Sequence, residues 1–408
     1  MDFPPTGHVT LGQTCQADGF AAAREAADQA RCQQPMAEPG WALAFAGGQH
    51  DPAELLRGFR AVLGAIPIIG GCGTGLITAA GATLTGYECG ILLFPATLMP
   101  ARIVVADRLD EDECAAGRRL GAALREAPPQ SVMLLFYDSI KSSPPPVLHI
   151  ASQLLDGIYA GLGEYRPILI GAGTLADMIL HRSYVFDGQS ARCHVAVAVA
   201  LPTALTAHVT ITHGCFPSSD FLEITRIEGP RVLELNGQPA LSLVAERLAM
   251  TREALAAQQP LVALALGEKH GDPFSPFAED QYVNRLVIAA DLADDALILF
   301  EADFQSGSRV QLMAYDPRQM IESARAQTQA LLGGLGDQPP LFGLYLDCAG
   351  RSMAFSGLDE DETAPVRAQV GRRCPLLGFY SGVEIAPFLG RSRPLDWTGV
   401  LVLFTWTD

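Results

Sequence analysis

Six residues near glycine-rich turns are of types that bind or react. His181 lies in the run Ile179-Leu180-His181-Arg182-Ser183-Tyr184-Val185-Phe186, just after Gly171-Ala172-Gly173-Thr174. A neutral imidazole there can ligate a metal. His149 and His213 are the next candidates, whereas His194 alternates with apolar residues and reads as packed or internally satisfied. Arg351 and Glu384 both stand near glycine-rich turns at the ends of apolar strands. A guanidinium grips a carboxylate bidentately and a carboxylate receives an amine, so the two suit an amino-acid-like ligand. The competing reading is an ordinary internal salt bridge. Tyr380 lies in the same stretch, Phe379-Tyr380-Ser381-Gly382. Gly71 and Cys72 belong to the loop Gly70-Gly71-Cys72-Gly73-Thr74-Gly75. A helix N-terminus would make Cys72 a reactive thiol, but no base is placed beside it by sequence.

Enzyme signatures are missing. The chain has no GxSxG, HExxH or Walker loop, and the Gly70–Gly75 loop lacks GxGxxG spacing. A non-enzymatic role is therefore the expectation. The acidic run Asp359-Glu360-Asp361-Glu362 reads as a solvated helix start, because alternating metal-ligand spacing is missing.

The elements that position these residues recur along the chain. In the first copy, Trp41-Ala42-Leu43-Ala44-Phe45-Ala46 reads as a buried strand. Asp51-Pro52-Ala53-Glu54 then opens a helix, with Asp51 as cap and Pro52 at the first helical position. Leu55, Leu56, Phe59, Val62 and Leu63 share one helical face, and Gly64 ends it. Ile66-Pro67-Ile68-Ile69 leads into the glycine loop. The second copy runs from Val132-Met133-Leu134-Leu135-Phe136 to Arg166-Pro167-Ile168-Leu169-Ile170-Gly171. The third runs from Leu341-Phe342-Gly343-Leu344-Tyr345-Leu346 to Cys374-Pro375-Leu376-Leu377-Gly378. Pro167 follows Pro67 by 100 residues and Pro375 follows Pro167 by 208, leaving room for a fourth, degenerate unit near Leu261-Val262-Ala263-Leu264-Ala265-Leu266-Gly267-Glu268. The pattern predicts an α/β fold of repeated strand-helix-strand units. Glycine loops leaving strands either bring backbone close to a ligand or simply make tight turns.

Composition bounds the function. Apolar residues make up 49% of the 408, and the net charge is −17. A chain this acidic, without a Lys/Arg cluster, disfavours nucleic acid and anionic membranes as partners. Residues 61–87 carry no charge but are too rich in glycine and too broken by Pro67 for a spanning helix. The first positive residue is Arg24, so no secretory leader is expected, and nine scattered cysteines without CxxC suit reduced cytosolic thiols.

Three stretches resemble the FIST family (F-box and intracellular signal transduction proteins): Phe45 through the Ile68-Ile69-Gly70-Gly71-Cys72-Gly73-Thr74 loop; Arg231-Val232-Leu233-Glu234-Leu235-Asn236-Gly237; and Cys348-Ala349-Gly350-Arg351 with Phe379-Tyr380-Ser381-Gly382-Val383-Glu384-Ile385-Ala386-Pro387. The resemblance implies a two-domain α/β architecture: an N-terminal helical extension over 1–34, a FIST N-terminal domain over 35–228 and a C-terminal one over 229–408. It implies a cytoplasmic small-ligand sensor in signal transduction. The sharpest version is a heme b nitric oxide sensor acting on a separate histidine kinase, with His181 on the iron and Arg351, Glu384, Tyr380, Gly71 and Cys72 around the ligand. The alternatives are an amino-acid-like metabolite sensor and a protein-interaction scaffold. Cys374-Pro375 looks like a thiolate heme dipeptide, but the repeat already explains the proline, and without CxxCH no covalent heme attachment is expected. Gly171-Ala172-Gly173-Thr174-Leu175-Ala176-Asp177 departs from the family's Gly-Gly-x-Ala-Gly-Asp pattern.

Overall fold

A computed structural model describes residues 8–33, 38–258, 264–357 and 360–407. Residues 1–7 and 34 of the N-terminal extension, residues 261–263 of the degenerate unit and Asp359 of the acidic run lie outside them.

The first unit comprises β1 (Thr10–Thr14), α1 (Gly19–Cys32), β2 (Pro39–Gly47), α2 (Pro52–Leu63), β3 (Ile68–Gly73), β4 (Leu76–Thr78), β5 (Gly81–Thr83) and β6 (Cys89–Pro95). The second comprises β7 (Arg102–Ala106), α3 (Glu113–Leu124), β8 (Met133–Asp138), a small hairpin of β9 (Ile140–Ser142) and β10 (Val147–Leu148), and α4 (Ala151–Leu162). It continues through β11 (Leu169–Thr174), β12 (Val185–Gly188), β13 (Ala191–Arg192) and β14 (Ala196–Ala200). The third unit starts with β15 (Leu205–Thr212) and is then interrupted.

The interruption is a β-sheet subdomain: β16 (Cys215–Pro217), β17 (Leu222–Glu228), β18 (Arg231–Leu235), β19 (Gln238–Pro239), α5 (Ala240–Arg247), α6 (Arg252–Ala256), β20 (Ala265–Lys269), β21 (Tyr282–Asp291), β22 (Ala296–Leu299) and β23 (Arg309–Tyr315). The third unit resumes with α7 (Pro317–Gly334), β24 (Phe342–Cys348), the short helix α8 (Met353–Ser356), α9 (Ala364–Val370), β25 (Leu376–Ser381), β26 (Glu384–Phe388), β27 (Arg391–Leu395) and β28 (Gly399–Trp406).

The local signals act as physics requires. Asp51 caps α2 by accepting from the Ala53 N–H at 2.8 Å, and Gly64 takes φ +73° to end it. In each unit two parallel strands carry the buried apolar run and the glycine loop: β2 with β3, β8 with β11, and β24 with β25.

The three units exchange strands in a cycle. β4 leaves the first unit and pairs antiparallel with β25 of the third. β12 leaves the second and pairs with β3 of the first, and β26 leaves the third and pairs with β11 of the second. Three six-stranded sheets result, each closed by a hairpin from a neighbour. Their inner faces share one core. Phe45 of the first unit stacks on Phe379 of the third at 4.1 Å between centroids and meets Phe136 of the second edge-on at 5.2 Å.

The expected degenerate fourth unit is corrected. β20 stands antiparallel between β21 and β23 in the interrupting sheet, without the parallel strand pair that defines a copy. Residues 61–87 form the end of α2 with β3, β4 and β5, and no helix among the described residues is long and apolar enough to cross a membrane.

Candidate functional site

The glycine loops meet where the strands cross over. Thr74 N–H donates to Tyr380 O, Tyr380 N–H to Gly75 O, and Gly382 N–H to Gly173 O. Gly173 N–H donates to Val383 O and Cys72 N–H to Tyr184 O. These donors are therefore spent on the knit between units and not aimed at an anion. Tight backbone packing between units accounts for these hydrogen bonds.

Beside this knit the third unit buries a cluster of ionisable groups. β24 places Asp347 and the turn after it places Arg351, both fully buried, with Arg351 Nε 2.9 Å from Asp347 Oδ1. Arg351 Nη1 also donates to Thr212 O at 2.8 Å and Trp397 O at 3.3 Å. Just before α9, Glu362 lies close enough to Asp347 for the two carboxyls to act on each other electrostatically. Burial and the neighbouring Asp347 push Glu362 up to about 9, so it keeps its proton at neutral pH. Burial raises Asp347 to about 6 against the pull of Arg351. Tyr380 Oη donates to Glu362 Oε1 at 3.1 Å.

Glu384, at the start of β26, accepts from Ser381 Oγ at 2.6 Å and Thr398 Oγ1 at 2.9 Å. Burial nevertheless pushes it up to about 8, the two hydroxyl bonds pulling the other way. With Arg351 charged against Asp347 and both glutamic acids largely protonated, the cluster is close to neutral at pH 7.

Thr398 also faces a cleft of about 390 Å³ between the repeated body and the interrupting sheet. Thr210 and Ile211 of β15, Gln327 of α7, and Glu279 and Asp280 from the turn before β21 line its other sides. Glu279 is held by the backbone N–H groups of His213 and Gly214 and by the Ser323 hydroxyl. His213 Nδ1 accepts from Cys215 N–H at 2.9 Å while Nε2 donates to Glu279 O at 2.9 Å, which assigns a neutral ring. Asp280 is exposed at the mouth.

The residues singled out from sequence fall in three places. Arg351, Glu384 and Tyr380 share the buried cluster. Gly71 and Cys72 lie in β3 of another sheet, where burial pushes the Cys72 thiol up to about 12. His181 sits exposed in the loop before β12, its N–H bonded to Asp177 Oδ1 at 3.0 Å. Cys374 is buried and its thiol raised to about 12. Sequence reasoning missed Asp347 and Glu279, and it misread Glu362. That glutamate is fully buried and not part of a solvated helix start, because the Tyr380 hydroxyl and Asp347 draw it inward. The one signal for Asp347 was its place at the end of an apolar strand.

Two family models match the chain in tandem: the FIST N domain over residues 40–238 and the FIST C domain over residues 240–387. Two uncharacterized proteins of Mycobacterium tuberculosis, from strains CDC 1551 / Oshkosh and ATCC 25618 / H37Rv, are each 25% identical over 211 residues, covering 51% of this chain. The match spans about half the length of these relatives, 53%. Among solved structures, a cyanuric acid hydrolase from A. caulinodans matches over 99% of this chain and 100% of its own, at 11% identity and a TM-score of 0.36. A second cyanuric acid hydrolase structure matches over 98% of this chain and 100% of its own, at 9% identity and a TM-score of 0.32. Likeness at that level bears on neither activity nor substrate.

Proposed function

Because the chain belongs to the FIST family, whose domains are associated with sensing small ligands in signal transduction, we propose that it senses a small amine-bearing, amino-acid-like metabolite. The observation that carries this reading is the cleft between the repeated body and the interrupting sheet, with Asp280 at its mouth and the Thr398–Glu384 hydrogen bond at its wall. Clefts at such junctions are the common place for small ligands. Carboxylates on the cleft favour a cation, and hydroxyls of Thr210 and Thr398 supply neutral hydrogen-bonding partners. A ligand carboxylate that accepts the Thr398 O–H competes with Glu384 for that proton, and so couples the cleft to the buried cluster. A separate signalling protein, such as a histidine kinase, would read the result.

The sharper reading, a heme-based nitric oxide sensor, has less support. Arg351 and Glu384 are committed to internal partners, and His181 is exposed in the loop before β12. As arranged, these residues do not fit a heme.

Thermal shift with a panel of amino acids and small amines tests the proposal. A hit that raises the melting temperature of the full chain, and fails to do so in Asp280→Asn and Thr398→Val, supports it. A panel without hits, or a hit indifferent to both substitutions, overturns it. Expression with added heme precursor tests the sharper reading: a Soret band that shifts with nitric oxide and vanishes in His181→Ala would replace the amine reading with the heme one.

A further inference from the structure

The second unit gathers a different set of groups, away from the cleft and independent of the reading above. Asp138 ends β8, His149 directly follows β10, His194 lies just before β14, and Glu113 is the first residue of α3. Antiparallel pairing of β8 with β14 brings Asp138 and His194 side by side, and the packing of α3 on α4 brings Glu113 to His149.

The geometry is that of metal ligands with an oriented support. Glu113 Oε1 lies 2.9 Å from His149 Nδ1 and 3.1 Å from Lys141 Nζ. The Lys141 ammonium pairs with the Glu113 carboxylate from the other side. A carboxylate accepts, so His149 turns an Nδ1 proton to Glu113 and its Nε2 lone pair toward His194. A carboxylate that fixes the far nitrogen of a histidine in this way is the usual support of a metal-bound imidazole.

His149 Nε2 faces His194 Nδ1 at 3.3 Å, and His194 Nδ1 is 3.9 Å from Asp138 Oδ2. One ligand atom from each of Asp138, His149 and His194 lies within 4.8 Å of the other two. Two nitrogens bound tetrahedrally to zinc at 2.0–2.1 Å stand about 3.3 Å apart, which is the separation the two rings already have.

Preorganisation extends to the backbone. Asp138 is fixed by the N–H of Ile140 at 2.9 Å and of His194 at 2.6 Å. His194 takes φ +54°, in the left-handed region that non-glycine residues seldom adopt. Asp138 and His149 are buried, while the His194 side chain is 39% exposed, so an ion can enter from solvent and keep a position open to it. An ordinary hydrogen bond from His194 to His149 would explain the 3.3 Å contact, and the His194 N–H bond explains the approach of Asp138, but neither explains the left-handed backbone at His194.

We propose that Asp138, His149 and His194 bind a divalent transition-metal ion, with Glu113 as the positioning residue behind His149. Two imidazoles and one carboxylate suit zinc and its neighbours, and the open position takes water or an anionic or thiol ligand.

The test is titration of the metal-free full chain with Zn²⁺ against a chromophoric competitor, with Co²⁺ absorption as a direct view of the ligand set. One Zn²⁺ per chain is expected, with visible Co²⁺ bands of the intensity of a four-coordinate site. His194→Ala, at a partly exposed position, is expected to lose about 100-fold in affinity while the metal-free protein melts as before. Glu113→Gln keeps the ligands and is expected to weaken binding by about 10–100-fold at unchanged stoichiometry. Absence of Zn²⁺ binding, or binding and Co²⁺ bands that persist in both His149→Ala and His194→Ala, would overturn the proposal.

Discussion

A Cβ atom placed on Gly171 would stand 1.7 Å from the carbonyl oxygen of Leu135, its partner across the parallel strand pair. The same relation holds in the other two units. Gly70 faces Ala44 O at 2.1 Å and Gly378 faces Tyr345 O at 2.2 Å. The contact is with backbone on the central strands, so neither side gives way cheaply. Gly171→Ala is expected to cost about 3 kcal/mol by overpacking. Gly81→Ala, where an added Cβ meets nothing within 4 Å, is expected to change stability by less than about 1 kcal/mol. Urea unfolding of the two variants checks the contrast, and equal effects would remove this explanation of the repeat's glycines.

These glycines were legible because they recur, and so were the prolines Pro67, Pro167 and Pro375 that precede the strands carrying them. Repetition is local information and survives in one sequence. Strand exchange does not. Nothing in Leu76-Ile77-Thr78 says that Leu76 pairs with Phe379, 303 residues away, because register is set by which neighbour closes the sheet. The candidate sites fail for the same reason. Glu362 sits in an acidic run that looks solvated, and only tertiary closure puts it beneath Tyr380. His149 and His194 are 45 residues apart and match no short metal motif.

Breaking the Asp347–Arg351 pair is expected to be costly. Both groups are fully buried, and Arg351 also ties β15 to the turn before β28 through Thr212 O and Trp397 O. Arg351→Met leaves Asp347 beside Glu362 with no counter-charge, a loss of about 3–5 kcal/mol. Asp347→Asn added to Arg351→Met is expected to recover part of that loss, since the stranded charge is gone. A double variant less stable than the single one would argue against a charge origin.

Cysteine reactivity is expected to follow burial. Cys72, Cys89, Cys215 and Cys374 are buried, and burial lifts Cys72 and Cys215 to about 12 each. Thiolate is the reacting form, so these groups resist alkylation in the native state. Cys15, Cys32 and Cys193 are exposed and are expected to be modified first. Mass spectrometry after brief iodoacetamide treatment reads the order. Early modification of Cys72 would revive it as a nucleophile.

Stability is expected to fall as pH rises. Glu384 titrates at about 8 and Glu362 at about 9 in the fold, and both sit near 4.3 when unfolded. Between those limits the folded state holds more protons than the unfolded one. Stability from these groups is therefore fully present below about pH 4.3 and is lost as pH rises through about 8 to 9. Glu113, held at about 2, acts in the opposite sense and withdraws stability only as pH falls below about 4.3. The melting temperature should thus be higher near pH 5.5 than near pH 8.5. Glu384→Gln replaces a protonated acid by a neutral isostere that can still bond Ser381 and Thr398. It should flatten the slope and leave the variant at least as stable as the parent at pH 8.5. Differential scanning calorimetry across that range decides it, since a parent more stable at pH 8.5, or a variant with a steeper slope, would mean that Glu384 is ionised in the folded protein.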